Sequence, residues 1–357
     1  MASRKFENVS IRGIAGAVPE SIRTNQDILG DAKEIQKTAK TVGIKQRHIA
    51  DETLCTSDLC YAAANQLLND LNWERESVDV LIFLSQTPDY VLPATSCLLQ
   101  HRLGLSKQCA AFDMVLGCSG YIYGLLNAFS LISETGIKRV LLLVGDTVSK
   151  LISPDDVASN VLFGDAGTAT AIEWDAKAEP SYFVLGTDGG GANALMIEAG
   201  GFRKPTTEVT RARKRHPKDN IIRSEEELFM DGATVFGFTL SCVPQTVNTL
   251  MTLAQQKLDE VNFWLFHQAN KFMLDYLGEK IGIDSEKIPM NITDYGNTSP
   301  PSIPLLAVTH GKNYKLDTQK QKIGLLGFGV GLSWGGALLH TDKICLSDLV
   351  LCPNGGD

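Results

Sequence analysis

At 357 residues, with 44% hydrophobic and 21% charged side chains, the chain is long enough for two domains or one large double core. A formal net charge of −8 argues against nucleic acid as a partner, and no segment reaches the ~20 apolar residues that span a bilayer. The N-terminal MASRKFENVS lacks the apolar core of a signal peptide, and eight cysteines without a CxxC pair make neither a disulfide framework nor a zinc site, so a cytoplasmic protein without metal is expected.

In chain order, residues 9–18 read as a strand and 25–40 as a capped helix with its connector. Residues 56–71 carry Leu59, Ala63, Leu67 and Leu71 at helical spacing, and 78–85 form a near-continuous apolar strand of the kind covered on both faces. A helix is expected over 94–103 and a second buried strand over 139–145. The second half predicts a helix over 238–258, a buried strand over 261–266, a helix over 271–281, a short strand over 287–292, a helix over 302–309 and a strand over 322–329.

Between the two strands of the first half lies CAAFDMVLGCSGYIYGLLN, residues 109–127. Cys118 sits where an apolar run meets a helix, and the unpaired amides and dipole of a helix start favour a thiolate. A packed core cysteine is the competing reading. Three landmarks then recur in order: Val78 with Val261, Cys118 with Asn297 and Arg139 with Lys322, offset by 183, 179 and 183 positions. Such an ordered set suggests a duplicated α/β unit, with Cys118 and Asn297 at equivalent turns that can meet on a pseudo-twofold axis. His267 follows the 261–266 strand, at a strand end where α/β folds collect functional residues.

GCSG at 117–120, HQAN at 267–270, GNTS at 296–299 and GFGVGLSWGG at 327–336 resemble the ketoacyl-carrier-protein synthase III family of the thiolase superfamily. GIKQRHIA at 43–50, FGDAGTA at 163–169 and FMDGATVF at 229–236 extend the resemblance over residues 6–342. It implies a duplicated, five-layered α-β-α-β-α fold. Residues 1–176 would form a half carrying the nucleophile Cys118, 177–342 a half carrying His267 and Asn297, and 343–357 a tail. It further implies a homodimer that binds no cofactor and acts on thioesters carried by coenzyme A or by the phosphopantetheine of an acyl carrier protein. Cys118 would take the acyl group. His267 and Asn297 would hold the enolate formed when a malonyl thioester loses CO2, and the backbone amides of Cys118 and Val330 would form a second oxyanion hole.

The sequence departs from that family at the nucleotide clamp. The Trp and Arg expected around the adenine fall at Lys37 and Thr41, a further Arg falls at Val157, and the Arg after the HQA motif falls at Phe272, with Lys271 before it. The donor is therefore expected on a carrier protein, or other basic residues grip the nucleotide. The segment 203–223, with eight Lys and Arg against Glu208 and Asp219, supplies Arg211, Arg213, Lys214 and Arg215 for that role; a solvated loop is the alternative. Leu92 replaces a Phe that the partner subunit supplies to the acyl pocket, and Met114 and Leu116 are either tunnel residues or core. Competing with decarboxylating condensation are acyl transfer from Cys118 to an alcohol or amine and hydrolysis of the thioester.

Overall fold

Successive side chains in the buried strands alternate between two apolar surroundings, and this alternation sets the layering. The computed structural model of the chain describes residues 1–134 and 136–355. Val80, Ile82 and Leu84 pack with Val140, Leu142 and Val144 in a central core. Leu81, Phe83, Leu141 and Leu143 pack instead with Leu59, Cys60, Ala63 and Leu67 of the outer helix Thr56–Asp70. In the second half Phe263, Leu265, Ile323 and Leu325 join the central core. Trp264, Phe266, Leu326 and Phe328 face Val247, Leu250, Leu274 and Leu277 of the outer helices Gly232–Ala254 and Lys271–Ile281.

Between the sheets lie the helices Gly120–Glu134 and Ser302–His310, which contribute Ile122, Leu125, Phe129, Ile303 and Leu306 to the same central core. The result is the expected five-layered stack of helix, sheet, helix, sheet, helix. The duplication is visible in strand register. Val80 pairs with Val140 and Phe263 with Ile323, both parallel, so the 183-residue offset of the sequence landmarks reappears in the pairing.

The chain ends cross over. Ala2–Phe6 pairs with Ser181–Thr187 in the second sheet, while Cys345–Leu346 and Val350–Cys352 add parallel strands to Val9–Pro19 in the first. Ala110–Met114 is the outer strand of the first sheet. Among the described residues no helix is long and apolar enough to cross a membrane.

Two expectations change. No strand forms over 287–292; the segment is a short turn, Ser285–Lys287, followed by the helical turn Ile292–Tyr295. Pro289 supplies no N–H for a ladder. The helix expected from 238 begins at Gly232, where the Asp231 side chain caps it by accepting from the Thr234 amide.

Candidate active site

Cys118 stands two residues before the first residue of the helix Gly120–Glu134, is 6% exposed and lines a cleft of about 240 Å³. Two glycines make room for its side chain and its approach. A Cβ on Gly329 would stand 2.6 Å from Cys118 Cβ, and one on Gly117 would stand 2.3 Å from Val330 Cγ1. Val148, Leu151, Phe163, Leu195 and Leu228 give the cleft an apolar wall suited to an acyl chain. Val115 also reaches the cleft, whereas Met114 and Leu116 pack on the central core, their plainer reading.

The helix start does not yield a resting thiolate. Burial pushes the Cys118 thiol up to about 11, against opposing pulls from the Ser299 hydroxyl and the backbone N–H groups of Val330 and Cys118 itself, all directed at sulfur. Those two amides are the pair expected to form an oxyanion hole.

His267 ends the strand Phe263–Phe266, its amide bonded to Leu326 O at 2.7 Å and its ring edge-on to Phe328. Burial drops its pKa to about 3, with a small opposing pull from the Ser299 carbonyl, so the imidazole is neutral. Nδ1 lies 2.7 Å from Ser302 Oγ. That oxygen also accepts from the Gln268 amide at 3.4 Å, and with its own proton given to Nδ1 the ring proton stands on Nε2.

Asn297 is held by its backbone, donating to Leu162 O at 2.9 Å and accepting from Gly164 at 3.1 Å. Its carboxamide Oδ1 accepts from the Ser299 amide at 2.9 Å, so the orientation leaves Nδ2 as the outward donor, with one long bond of 3.4 Å to Ala269 O.

Ser299 thus touches all three expected residues: its hydroxyl lies 3.9 Å from Cys118 Sγ, its amide binds Asn297, and its carbonyl faces His267. It is a non-glycine residue at φ 65°, a position favoured only where function or packing holds it. Sequence reading quoted it inside GNTS without a role. Gln86, Asp146 and Ser302, which buttress the same cluster, were also missed.

The residues assigned to substrate binding lie outside the lining of the cleft. Leu92 is 79% exposed beside Tyr90 and Val91. Phe272 is exposed and packs at a tilt against Phe236 and Tyr276, while Lys271 pairs with Asp275 at 2.6 Å. In the basic segment Arg213 is bound to Asp155 and Glu227, and Lys214 to Glu225. Arg211 and Arg215 remain exposed without a carboxylate partner among the described residues.

Comparison with known proteins places these features. The family model for 3-oxoacyl-[acyl-carrier-protein (ACP)] synthase III matches residues 112–189, and that for the C-terminal part of the same enzyme matches 251–341. A β-ketoacyl-[acyl-carrier-protein] synthase III of Desulfitobacterium hafniense is 33% identical over 342 residues, covering 94% of this chain and 98% of its own. The crystal structure of a 3-oxoacyl-(acyl-carrier protein) synthase from Burkholderia xenovorans LB400 superposes with a TM-score of 0.92 at 40% identity, covering 98% of this chain and 99% of that one. A synthase III from Pseudomonas aeruginosa PAO1 superposes with a TM-score of 0.79 at 29% identity, covering 95% and 99%.

Proposed function

The chain belongs to the 3-oxoacyl-[acyl-carrier-protein] synthase III family, and from that premise we propose that Cys118, His267 and Asn297 are the residues with which it condenses an acyl group and malonyl-carrier protein. It is a condensing acyltransferase of fatty-acid or polyketide synthesis, and this reading stands over transfer to an alcohol or amine and over hydrolysis. The observation that carries the assignment is Ser299, whose hydroxyl, amide and carbonyl meet the thiol, the carboxamide and the imidazole in one buried cluster.

Cys118 attacks the donor thioester, and the oxyanion of the tetrahedral intermediate is met by the amides of Cys118 and Val330. The acyl chain lies along the apolar wall. A malonyl thioester then enters, and its carbonyl accepts from His267 Nε2–H and Asn297 Nδ2–H. Loss of CO2 places negative charge on that oxygen, where two fixed neutral donors stabilise it. A neutral imidazole matters here, because an imidazolium would protonate the enolate carbon before it attacked the acyl group on Cys118. Attack forms the new C–C bond and frees Cys118. The half of residues 1–176 thereby carries the acyl group and the half of 177–342 generates the nucleophilic carbon.

We assign the acyl donor to a carrier protein. Support comes from Lys37, Thr41, Val157 and Phe272 at the positions of the usual nucleotide clamp, and from exposed Arg211 and Arg215 as docking cations for an acidic partner. A homodimer in the cytoplasm completes the reading. Its support is the outer strand Ala110–Met114 with exposed Tyr90, Val91, Leu92, Phe112 and Val115 around it. The decisive experiment is intact-protein mass spectrometry with acyl-coenzyme A and acyl-carrier donors, followed by malonyl-carrier protein. Acylation lost in Cys118→Ala and a β-ketoacyl product are expected; an acyl-enzyme that never forms a C–C bond sinks the proposal.

A further inference from the structure

Asp146 ends the strand Arg139–Asp146 and is fully buried. Its carboxylate accepts from Ser85 Oγ at 2.9 Å, from the Gln86 amide at 2.7 Å, from Gln86 Nε2 at 2.8 Å and from Thr87 Oγ1 at 3.3 Å. Ser299 Oγ sits beside this carboxylate on a shared partner, Gln86 Nε2, at 3.2 Å, and its hydroxyl pulls the Asp146 pKa down against burial. Among the described residues no Lys, Arg or His lies within ion-pair distance of it. Such a group is well supplied with hydrogen bonds and lacks a counter-ion, so it can hold either a charge or a proton.

Ser299 connects this carboxylate to sulfur. A hydroxyl has one proton and two lone pairs. Gln86 Nε2 donates to Ser299 Oγ at 3.2 Å, and Cys118 Sγ lies 3.9 Å away on the same oxygen. The hydroxyl thus stands between sulfur and carboxylate, and its one proton can turn to either, as both groups draw on the same hydroxyl. The left-handed backbone at Ser299, which costs on the order of 1–3 kcal/mol for a non-glycine residue, accompanies this placement.

We propose that Ser299 and Asp146 form the proton relay that deprotonates Cys118 during acylation, an inference that rests on reading Cys118 as the acyl carrier. As sulfur attacks the thioester carbonyl, the S–H proton passes to Ser299 Oγ and the Ser299 proton passes to the Asp146 carboxylate. The S–C bond forms, and the carbonyl π pair becomes the oxyanion. Collapse expels the carrier's thiolate, which takes the proton back from Asp146 through Ser299 and leaves as the thiol. The cleft holds one negative charge throughout, first on Asp146, then on the oxyanion, then on the carboxylate again. Ionising Cys118 beside a charged Asp146 would instead bury two anions, and each raises the other's cost. His267 is a poor alternative base, since burial lowers the basicity of its imidazole to a pKa of about 3 and Ser302 occupies Nδ1. Beyond burial itself, the charge of Asp146 raises the buried thiols of Cys118 and Cys60.

The test is rapid-quench acylation of Cys118 by an acyl-carrier thioester, from about pH 6 to about pH 10, in the wild type, Asp146→Asn and Ser299→Ala; general-base loss predicts a fall of about 10²-fold near neutrality. In both variants the rate should then climb about tenfold per pH unit as hydroxide replaces the relay, while the wild type stays flat. A variant rate equal to wild type, or lowered by one constant factor at every pH, overturns the relay and leaves Asp146 a structural residue. Should Asp146→Asn fail to fold, Ser299→Ala removes only a hydroxyl and carries the same comparison. A wild type that never acylates sinks the functional reading itself, whereas a wild type that acylates alongside unchanged variants sinks the relay alone.

Discussion

Ser302 Oγ stands 2.7 Å from His267 Nδ1, so the hydroxyl of one central helix holds the imidazole that follows a strand of the neighbouring sheet, and as donor to Nδ1 it keeps the ring proton on Nε2. Ser302→Ala leaves the ring free to move its proton to Nδ1. One hydrogen bond between neutral groups is worth about 1 kcal/mol, so malonyl-thioester decarboxylation should slow about fivefold. The acylation burst at Cys118, measured by mass spectrometry on the same sample, should be unchanged; equal slowing of both would point to general disruption.

Asn297→Ala removes one of two donors to the enolate oxygen. Loss of such a donor costs about 10²- to 10³-fold in rate. Condensation measured by release of labelled CO2 should fall by that amount while acyl-Cys118 still accumulates. A variant that also fails to acylate would place Asn297 in the first half-reaction instead.

Gly329→Ala sets a methyl group 2.6 Å from Cys118 Cβ and 2.9 Å from Sγ. Overpacking of this kind costs about 1–3 kcal/mol, and the displaced sulfur loses its alignment with the Val330 amide. Lowered Tm together with slowed labelling of Cys118 by an alkylating agent is the expected pair of results.

The depressed pKa of His267 has a stability consequence of defined sign. Its folded value of about 3 lies below the unfolded 6.5, so the unfolded chain binds the extra proton first. The contribution is complete above about pH 6.5 and is lost as pH falls toward 3, at up to about 1.4 kcal/mol per pH unit. His48 and His310 shift the same way through burial. The share of His267 is therefore the difference between wild type and His267→Asn in urea midpoints at pH 7 and pH 5.

The basic segment should divide in two under mutation. Reversing Arg211 and Arg215 to Glu removes exposed charge and should raise the apparent KM for carrier-bound substrate several-fold without changing Tm. Reversing Arg213 and Lys214 breaks ion pairs with Asp155, Glu227 and Glu225, and should lower Tm as well. Unchanged KM in the first pair removes the docking role.

The parts of the fold that could be read directly were the aliphatic strands 80–84 and 139–146 and the aromatic-rich strand 263–266, whose apolar faces leave little choice of environment. Ala166–Trp174 escaped notice because its run AGTATA is small rather than apolar. The reason is packing: a Cβ on Gly167 would lie 2.6 Å from the backbone of Leu59 and Cys60, so the helix Thr56–Asp70 sits on a strand that tolerates no bulk. In the site, Cys118, His267 and Asn297 stood out through the repeat and the family resemblance. Asp146 could not, because its donors Ser85, Gln86 and Thr87 come from a strand end about sixty positions earlier and Ser299, which shares Gln86 with it, from the other half.

The exchange of terminal strands bears on how the molecule holds together. Ala2–Phe6 completes the sheet of the second half, and residues 345–352 extend the sheet of the first. Each half therefore lacks an edge unless the opposite end of the chain is present. A cut near residue 176 would leave two fragments with unfilled sheet borders, each complementary to the other, and their recovery should depend on mixing both in one refolding reaction. The cleft around Cys118 inherits that dependence, since its nucleophile and its two donors come from opposite sides of the cut.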